Sequence, residues 1–264
     1  MSKVFKVMTD NSIEDLFAGY FSEGLESFLS HLSVNCVVLA YNHPNLLVLV
    51  HKMPGQEFSL IPGGFVKKTE SVDDAAYRNL ALLGIKEVFL RQIKTFGDIR
   101  RGIEIPDAGM VLTEENRKIY EWTKQRFVTV AFYGLINYSV TQIVQGGLAF
   151  DFEWLNVDHL ENMGMDHGNI VSETRKLLAT ELLNHPVLSN LLPETFTLNE
   201  LRGLFEAILE RPIDRGTFRR KMLKLDLVEQ IDQRKDVLGR PSHLFRFKTE
   251  QYYRFLAEEN KFGF

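Results

Sequence analysis

The spacing of apolar residues divides the first half of the chain into helical and strand segments. Residues 11–32 carry aromatic and leucine side chains at helical spacing, which predicts a helix. Two runs rich in β-formers, 34–41 and 45–52, are joined by an Asn-His-Pro turn and predict a β-hairpin. A further strand at 59–66 is interrupted by Pro-Gly-Gly, and a capped apolar pattern predicts a helix over 71–83 that ends before a glycine.

The second half contains two more elements and then a separate C-terminal unit. Residues 97–126 lack a clear period and are expected to be rich in loops, whereas 127–136 predicts a strand and 169–184 a helix. The tail then follows the order helix, helix, strand, loop, strand, with a capping box formed by Thr197 and Glu200 before its first helix. This order is typical of a winged helix-turn-helix.

Composition limits the classes of protein to which the chain can belong. Its 264 residues are 45% hydrophobic and 25% charged, which is ordinary for a globular protein and excludes disordered, collagen-like and coiled-coil chains. No apolar run reaches the ~20 residues of a membrane helix, and the N-terminus lacks an apolar signal segment. The single cysteine, Cys36, lies in an apolar run and has no internal disulfide partner. We therefore expect a cytoplasmic protein with no membrane partner.

The net charge of −4 hides a strong asymmetry along the chain. The segment from Arg215 to Lys248 carries a net charge of +6, so the remaining residues carry −10. On the second tail helix, predicted over 215–225, Phe218 and Met222 lie opposite the polar and cationic side chains, which suit phosphates and guanine edges in a major groove. The predicted DNA-binding residues are Arg215, Thr217, Arg219, Arg220 and Lys224 on this helix, and Arg234, Lys235 and Arg240 in the loop that follows. The alternative is a solvated basic surface on a protein-interaction module.

One motif in the first half carries recognisable chemistry. Gly64, Glu70 and Arg78 fit the first half of the Nudix box, G-x5-E-x7-R, so residues 34–160 resemble the Nudix hydrolases. In that family, paired glutamates of the helix hold Mg²⁺ against a pyrophosphate, but Leu82 and Leu83 occupy those places here. We therefore expect no metal, no cofactor and no catalytic residue. An ion pair between Glu70 and Arg78, bracing the loop against the helix, would explain both residues without a metal.

A Nudix-like domain without its metal ligands, followed by a basic winged helix, resembles the Nudix-related transcriptional regulators of the NrtR family. The resemblance rests on KTFGDIRR (94–101), FVTVAFYGLI (127–136) and MDH (165–167), and most specifically on the tail segments 191–209, 218–229 and 239–247. It implies an α+β fold in two domains. Residues 1–187 would form a Nudix-like α/β/α sandwich that binds an effector, and residues 188–264 a winged helix-turn-helix domain that binds DNA.

The resemblance also implies partners for each domain. The former substrate pocket would bind a small effector, either ADP-ribose or a pentose sugar such as the L-arabinose sensed by relatives in sugar operons. The residues expected around this pocket are Lys52, Phe65, Phe96, Asp98, Arg100 and His167. The winged helix would bind a double-stranded DNA operator, and a palindromic operator calls for a homodimer.

Two other functions remain open at this point. The chain could be a divergent Nudix hydrolase that acts on nucleoside-diphosphate derivatives with metal ligands from outside the box. It could also be a sugar-nucleotide-binding adaptor whose basic tail contacts protein. The helix without acidic residues argues against the first alternative, and the cationic helix face argues against the second. The sequence does not identify the effector, the operator or the regulated genes.

Overall fold

The chain up to residue 182 forms one mixed sheet with helices on both faces. The structure, a computed structural model, describes residues 25–52, 57–86, 88–101, 114–139, 152–182, 189–237, 240–248 and 250. Its elements up to residue 182 are β1 (Phe28–Asn42), β2 (Asn45–Lys52), β3 (Ser59–Leu60), β4 (Gly63–Lys67), α1 (Val72–Ala81), β5 (Leu90–Phe96), α2 (Glu114–Thr123), β6 (Val128–Ile136), β7 (Phe152–Asn156) and α3 (His167–Glu181), with 3-10 turns at Leu25–Ser27 and Val157–His159.

The sheet has the strand order β3-β2-β1-β6-β5, with β4 also paired to β1 and β7 to β2. β1 and β6 are parallel and the other pairs are antiparallel. Alternate residues of β1 enter two different cores, because successive side chains of a strand point to opposite faces. Cys36 and Val38 pack on the side of α1, whereas Val37 and Leu39 pack on the side of α3. This arrangement confirms the predicted α/β/α sandwich.

Helix α1 begins where the sequence predicts it and ends slightly earlier. The Ser71 side chain accepts a hydrogen bond from the Asp74 amide, and the Asp74 carboxylate accepts one from the Ser71 amide, so the capping box is present. Leu82 is the C-cap, and Gly84 follows with a φ of 80°, a left-handed conformation that glycine adopts without strain.

Two predictions for this half are wrong. The predicted helix 11–32 ends in strand instead, because Phe28–Asn42 is β1; residues 11–24 lie outside the described residues. Long-range pairing decides this segment, since Leu32 pairs with Val128 of β6. The stretch 97–126, expected to be rich in loops, contains helix α2, and its residues 102–113 lie outside the described residues.

The tail forms the predicted winged helix. Its elements are β8 (Phe196–Thr197), α4 (Leu198–Leu209), α5 (Arg215–Lys224), β9 (Val228–Val237) and β10 (Arg240–Phe247), and its sheet has the order β8-β10-β9. Thr197 and Glu200 make the predicted capping box, and the Asp214 side chain caps α5 by accepting from the Thr217 amide at 2.8 Å. Strands β9 and β10 extend through most of the predicted polar loop, because they pair from Val228 opposite Phe247 to Val237 opposite Arg240.

The winged helix shares an apolar core with the sandwich. Leu201, Leu204 and Phe205 of α4 belong to the same buried cluster as Leu39 and Val48 of the sheet. α4 packs against both α3 and β2. The division of the chain at residue 187 stays a prediction. In the parts of the chain that the structure describes, no helix is long and apolar enough to cross a bilayer.

Candidate effector cavity and DNA-binding surface

A cavity of about 580 Å³ opens at the end of β5, next to the start of α3. Its volume lies in the range of small-molecule sites. The residues that line it are Phe96, Gly97, Asp98, Arg100, Arg101, Met165, Asp166 and Asn169.

A buried arginine is the strongest electrostatic feature of this cavity. The side chain of Arg101 is only 2% exposed and donates through Nε to both carboxylate oxygens of Asp166, at 2.9 and 2.8 Å. Its Nη1 donates to the Phe127 carbonyl at 3.0 Å, and its Nη2 donates to Asn35 Oδ1 at 3.1 Å. A buried charge is tolerated only when it is paired and hydrogen-bonded, as here.

The backbone of β4 must approach Asn35 closely for this network to form. A Cβ on Gly63 would lie 2.5 Å from both Asn35 Nδ2 and the Val34 carbonyl. Glycine at this position therefore permits the contact between β1 and β4, which explains the Pro-Gly-Gly signal in the sequence.

Asp98 and Arg100 form an exposed pair at the mouth of the cavity. The Asp98 carboxylate accepts from Arg100 Nε at 3.1 Å and from the Arg100 amide at 2.8 Å. The hydrogen bond from the Arg100 side chain, followed by that from its amide, lowers the pKa of Asp98. Both side chains are solvated, so this pair contributes little to stability and is free to rearrange around a ligand.

His167 lies beside the cavity with its side chain buried. Its Nδ1 accepts a hydrogen bond from the Ile61 amide at 3.1 Å. Burial, followed by the charges of Arg101 and His51, lowers the pKa of His167 to about 3. The ring is therefore neutral near pH 7 and holds the start of α3 against the sheet.

The structure brings only some of the predicted effector residues together. Phe96, Asp98 and Arg100 line the cavity, and His167 adjoins it. Lys52 does not line it: its side chain is 60% exposed and pairs with Glu153 at 3.4 Å. Effector contact stays a prediction for each of these residues.

Phe65 also lies outside the cavity lining and packs instead in an aromatic cluster. Its ring centroid is 4.6 Å from that of Trp122 and 5.0 Å from that of Phe127. The cluster adjoins the cavity through the Phe127 carbonyl, which accepts from Arg101.

Sequence reasoning missed Arg101 and Asp166. Both lie within the motifs 94–101 and 165–167, in which the sequence analysis predicts their neighbours Arg100 and His167 instead. The choice between two adjacent arginines depends on which one is buried, and a loop sequence without a period does not reveal that.

The Nudix-like helix carries the predicted ion pair. Arg78 donates to Glu70 through Nε at 2.9 Å and Nη2 at 2.6 Å, and Nη2 also donates to the Phe65 carbonyl at 2.8 Å. These hydrogen bonds lower the pKa of Glu70. Leu82 is exposed and Leu83 is buried in the core. Within the described residues, no group of three or more His, Cys, Asp or Glu side chains could hold a metal ion.

Helix α5 of the winged unit has the two faces that the sequence predicts. Phe218 and Met222 are buried, and the Phe218 ring packs edge-on against Phe205 of α4 at 5.3 Å. All five predicted helix residues are exposed: Thr217, Arg220 and Lys224 lie on the opposite face, Arg219 at its border and Arg215 at the start of the helix. In the wing, Arg234 and Lys235 lie in β9 and Arg240 begins β10, but their side chains lie outside what the structure describes.

A second cavity, of about 650 Å³, lies between the segment around Pro193 and strand β10. Two of its cations are already neutralised, because Arg246 pairs with Glu229 at 2.5 Å and Lys248 pairs with Asp226 at 2.6 Å. Its charges therefore point to packing within the winged unit rather than to a ligand.

Comparison with known proteins agrees with this geometry. Residues 188–247 match the NrtR DNA-binding winged helix domain. The ADPR responsive transcriptional repressor NtrR of Acinetobacter baylyi is 26% identical over 212 residues, which are 78% of this chain and 76% of the repressor.

Solved structures extend the similarity to both halves of the chain. Shewanella oneidensis NrtR in complex with a 27mer DNA superposes with a TM-score of 0.59 and 25% identity, over 84% of this chain and 95% of that chain. A MutT/nudix family protein from Enterococcus faecalis superposes with a TM-score of 0.55 and 20% identity, over 88% of this chain and 92% of that chain, and supports the fold alone. The predicted resemblance to the Nudix-related transcriptional regulators is confirmed, and the chain combines a Nudix-type sandwich with their winged helix DNA-binding domain.

Proposed function

We propose that the chain is a transcriptional repressor that binds operator DNA through α5 and the wing and releases it when a small effector enters the cavity beside α3. The observation that carries the proposal is the cationic face of α5. Thr217, Arg220 and Lys224 lie exposed opposite the buried Phe218 and Met222, with Arg215 and Arg219 exposed beside them, on a domain that matches the NrtR winged helix. Because the proposed partner is operator DNA, we also propose the predicted cytoplasmic location for the protein.

We infer an effector of the ADP-ribose class, with a pentose such as L-arabinose as the alternative. The repressor of Acinetobacter baylyi is ADPR responsive. The cavity offers an exposed guanidinium on Arg100, which suits phosphate oxygens, and carboxylates on Asp98 and Asp166, which accept hydrogen bonds from sugar hydroxyls. Its volume of about 580 Å³ is sufficient for a small nucleotide or sugar.

Loss of hydrolase activity is also part of the proposal. Glu70 is committed to Arg78, and Leu82 and Leu83 stand where the metal-binding carboxylates of a Nudix hydrolase are expected. We expect turnover of ADP-ribose and sugar nucleotides with Mg²⁺ or Mn²⁺ to stay far below about 1 per second. Turnover at or above that rate would favour the divergent hydrolase instead.

The proposal includes a homodimer, because a winged helix that reads two half-sites of a palindrome needs two copies of itself. Sedimentation of the full chain at micromolar concentration tests the dimer. A monomer that still binds DNA with one protein per duplex would contradict this part of the proposal.

The central experiment measures DNA affinity with and without effector. A duplex selected by the protein from a random pool serves as operator, and ADP-ribose and L-arabinose are each added at saturation. We expect binding that one of the two effectors weakens at least about fivefold. An Arg220→Ala variant should weaken specific binding, whereas a control variant at an exposed cation outside the winged helix, Lys86→Ala, should not. Equal DNA affinity for both variants and the wild type would refute the proposed DNA-binding face.

A further inference from the structure

A buried arginine on α3 contacts both the sandwich and the winged helix. Arg175 lies in the middle of α3, and its side chain is only 8% exposed. Its Nη1 contacts Asp158 Oδ1 at 2.7 Å and Glu210 Oε1 at 3.0 Å, and its Nε donates to the Ala207 carbonyl at 3.0 Å. Its Nη2 also donates to the Ala207 carbonyl. One guanidinium therefore connects α3, the 3-10 turn after β7 and the C-terminal end of α4.

The end of α4 that Arg175 holds sets the position of the DNA-facing helix. A cation is favoured there, because the last carbonyls of a helix carry a partial negative charge. The turn that follows is fixed by Glu206, whose Oε1 accepts from the Ile213 amide at 2.7 Å, and by Arg202, whose Nη1 donates to the Ile213 carbonyl at 3.2 Å. Asp214 then caps α5. Hydrogen bonds therefore connect Arg175, through the end of α4 and the turn that follows it, to the start of α5.

The other end of the same helix forms a wall of the effector cavity. Asp166 immediately precedes α3 and makes no side-chain capping bond, because its carboxylate pairs with the buried Arg101. Asn169 lines the cavity, and six residues, or about 9 Å of helix, separate it from Arg175. Packed helices shift largely as units, so a ligand that moves the first turn of α3 would also move Arg175.

We propose that Arg175 is a positioning residue that couples the effector cavity to the DNA-facing helix. It contacts neither ligand and transmits the position of α3 to the end of α4. This inference rests on the proposed function, because it assigns the route by which effector binding changes DNA affinity.

The first test measures coupling rather than binding. The quantity is the ratio of the DNA dissociation constants with and without saturating ADP-ribose, or L-arabinose if the wild type responds to that sugar instead. Wild type should show a ratio of at least about fivefold. Arg175→Met, which retains the length of the side chain and removes its charge, should show a ratio within about twofold of unity, while its affinity for effector stays within about threefold of wild type. Arg175→Lys should restore part of the ratio, since it retains the charge without the planar fork.

Two further variants provide a matched control and a milder disruption of the ion pair between Arg175 and Glu210. Lys176 is the next residue of α3, exposed and paired with Glu173, so Lys176→Met should keep the wild-type ratio. Glu210→Gln removes an exposed partner of Arg175 on the winged helix side and should reduce the ratio without unfolding the protein. An Arg175→Met variant with the wild-type ratio would overturn the inference. So would equal loss of effector affinity and DNA affinity, because that pattern marks a purely structural role.

A second test is independent of either ligand. Hydrogen exchange of Arg175→Met should be at least tenfold faster than wild type at the end of α4 and in the turn 209–214, while the segment 165–170 keeps its protection. If the wild type binds neither DNA nor effector, the proposed function fails and this second test alone decides the role of Arg175. Unchanged exchange at the end of α4 would then overturn it.

Discussion

Replacing Gly203 by alanine tests how closely the winged helix packs against the sandwich. Gly203 lies on the buried side of α4, and a Cβ there would lie 2.5 Å from the Tyr41 hydroxyl and 2.7 Å from His43 Nδ1. Tyr41 has little room to move, because its ring is buried in the shared core and its hydroxyl contacts the Glu200 carbonyl at 3.2 Å. The added methyl group must therefore push the end of the β1–β2 hairpin away from α4.

Three contributions determine the change in the free energy of unfolding. Alanine favours the helix interior over glycine by about 1 kcal/mol. Overpacking costs about 1–3 kcal/mol, and loss of the hydrogen bond between Tyr41 and Glu200 costs about 1 kcal/mol. The two costs exceed the gain, so Gly203→Ala should destabilise the protein by about 1–3 kcal/mol.

Urea unfolding of the full chain measures this difference, with Gly216→Ala as a matched control. Gly216 is also helical, but a Cβ there would meet only Asp214 Oδ1 at 3.5 Å, an ordinary contact. The control should be neutral or more stable by up to about 1 kcal/mol. A Gly203→Ala variant as stable as this control would refute the described packing. Tyr41→Phe, which removes the nearest atom, should reduce the cost of Gly203→Ala in a double-mutant cycle.

Three other predictions concern pH, the DNA-binding surface and the Nudix-like helix. Burial lowers the pKa of His167 to about 3, so the unfolded chain takes up a proton at this ring first, and His167 should reduce stability below about pH 6.5 by at most about 1.4 kcal/mol per pH unit, in addition to the share of the buried His51. Urea unfolding at pH 7 and 5 measures the slope, and His167→Asn, whose carbonyl oxygen can accept from the same amide, should reduce it by the His167 share. Arg220→Ala should weaken specific DNA binding by about 1–3 kcal/mol if it contacts a base. Arg240→Ala should make the slope of log binding constant against log salt concentration shallower by about one. Titrations at several salt concentrations that show neither effect would contradict the predicted DNA-binding surface. Leu83→Glu should destabilise the protein by about 3 kcal/mol or more, because Leu83 is buried. Leu82→Glu should cost under about 0.5 kcal/mol, because Leu82 is exposed. Equal costs in urea unfolding would contradict the different burial of these two leucines.

The elements that the sequence predicts well are those whose signals are local. The capping boxes at Ser71 and Thr197 mark helix starts through contacts three residues apart. The two faces of α5 follow from helical spacing alone, since Phe218 and Met222 must lie opposite Arg220. Such patterns do not depend on distant parts of the chain, and the structure bears them out.

The elements that the sequence predicts poorly depend on distant parts of the chain. The first part of β1 follows from its pairing with β4 at Phe28 and with β6 from Leu32, about 96 residues away, and not from its helix-like apolar spacing. The network of Arg101 joins residues 35, 127 and 166, so the burial of this arginine becomes visible only after the chain has folded. The sequence predicts Lys52 beside the effector pocket, but in the structure its side chain forms an exposed ion pair with Glu153.

The apolar core shared by α4 and the sheet has a consequence for how such a protein can diversify. Leu201, Leu204 and Phe205 fit one particular sheet surface, so a chimera that joins this winged helix to a foreign sandwich would place them against side chains of another shape. Exchange of whole domains is therefore a costly route to a new ligand for this chain. Substitutions in the loop from Gly97 to Arg100 leave that surface untouched, and the loop is the part where ligand preference can change without repacking the interior.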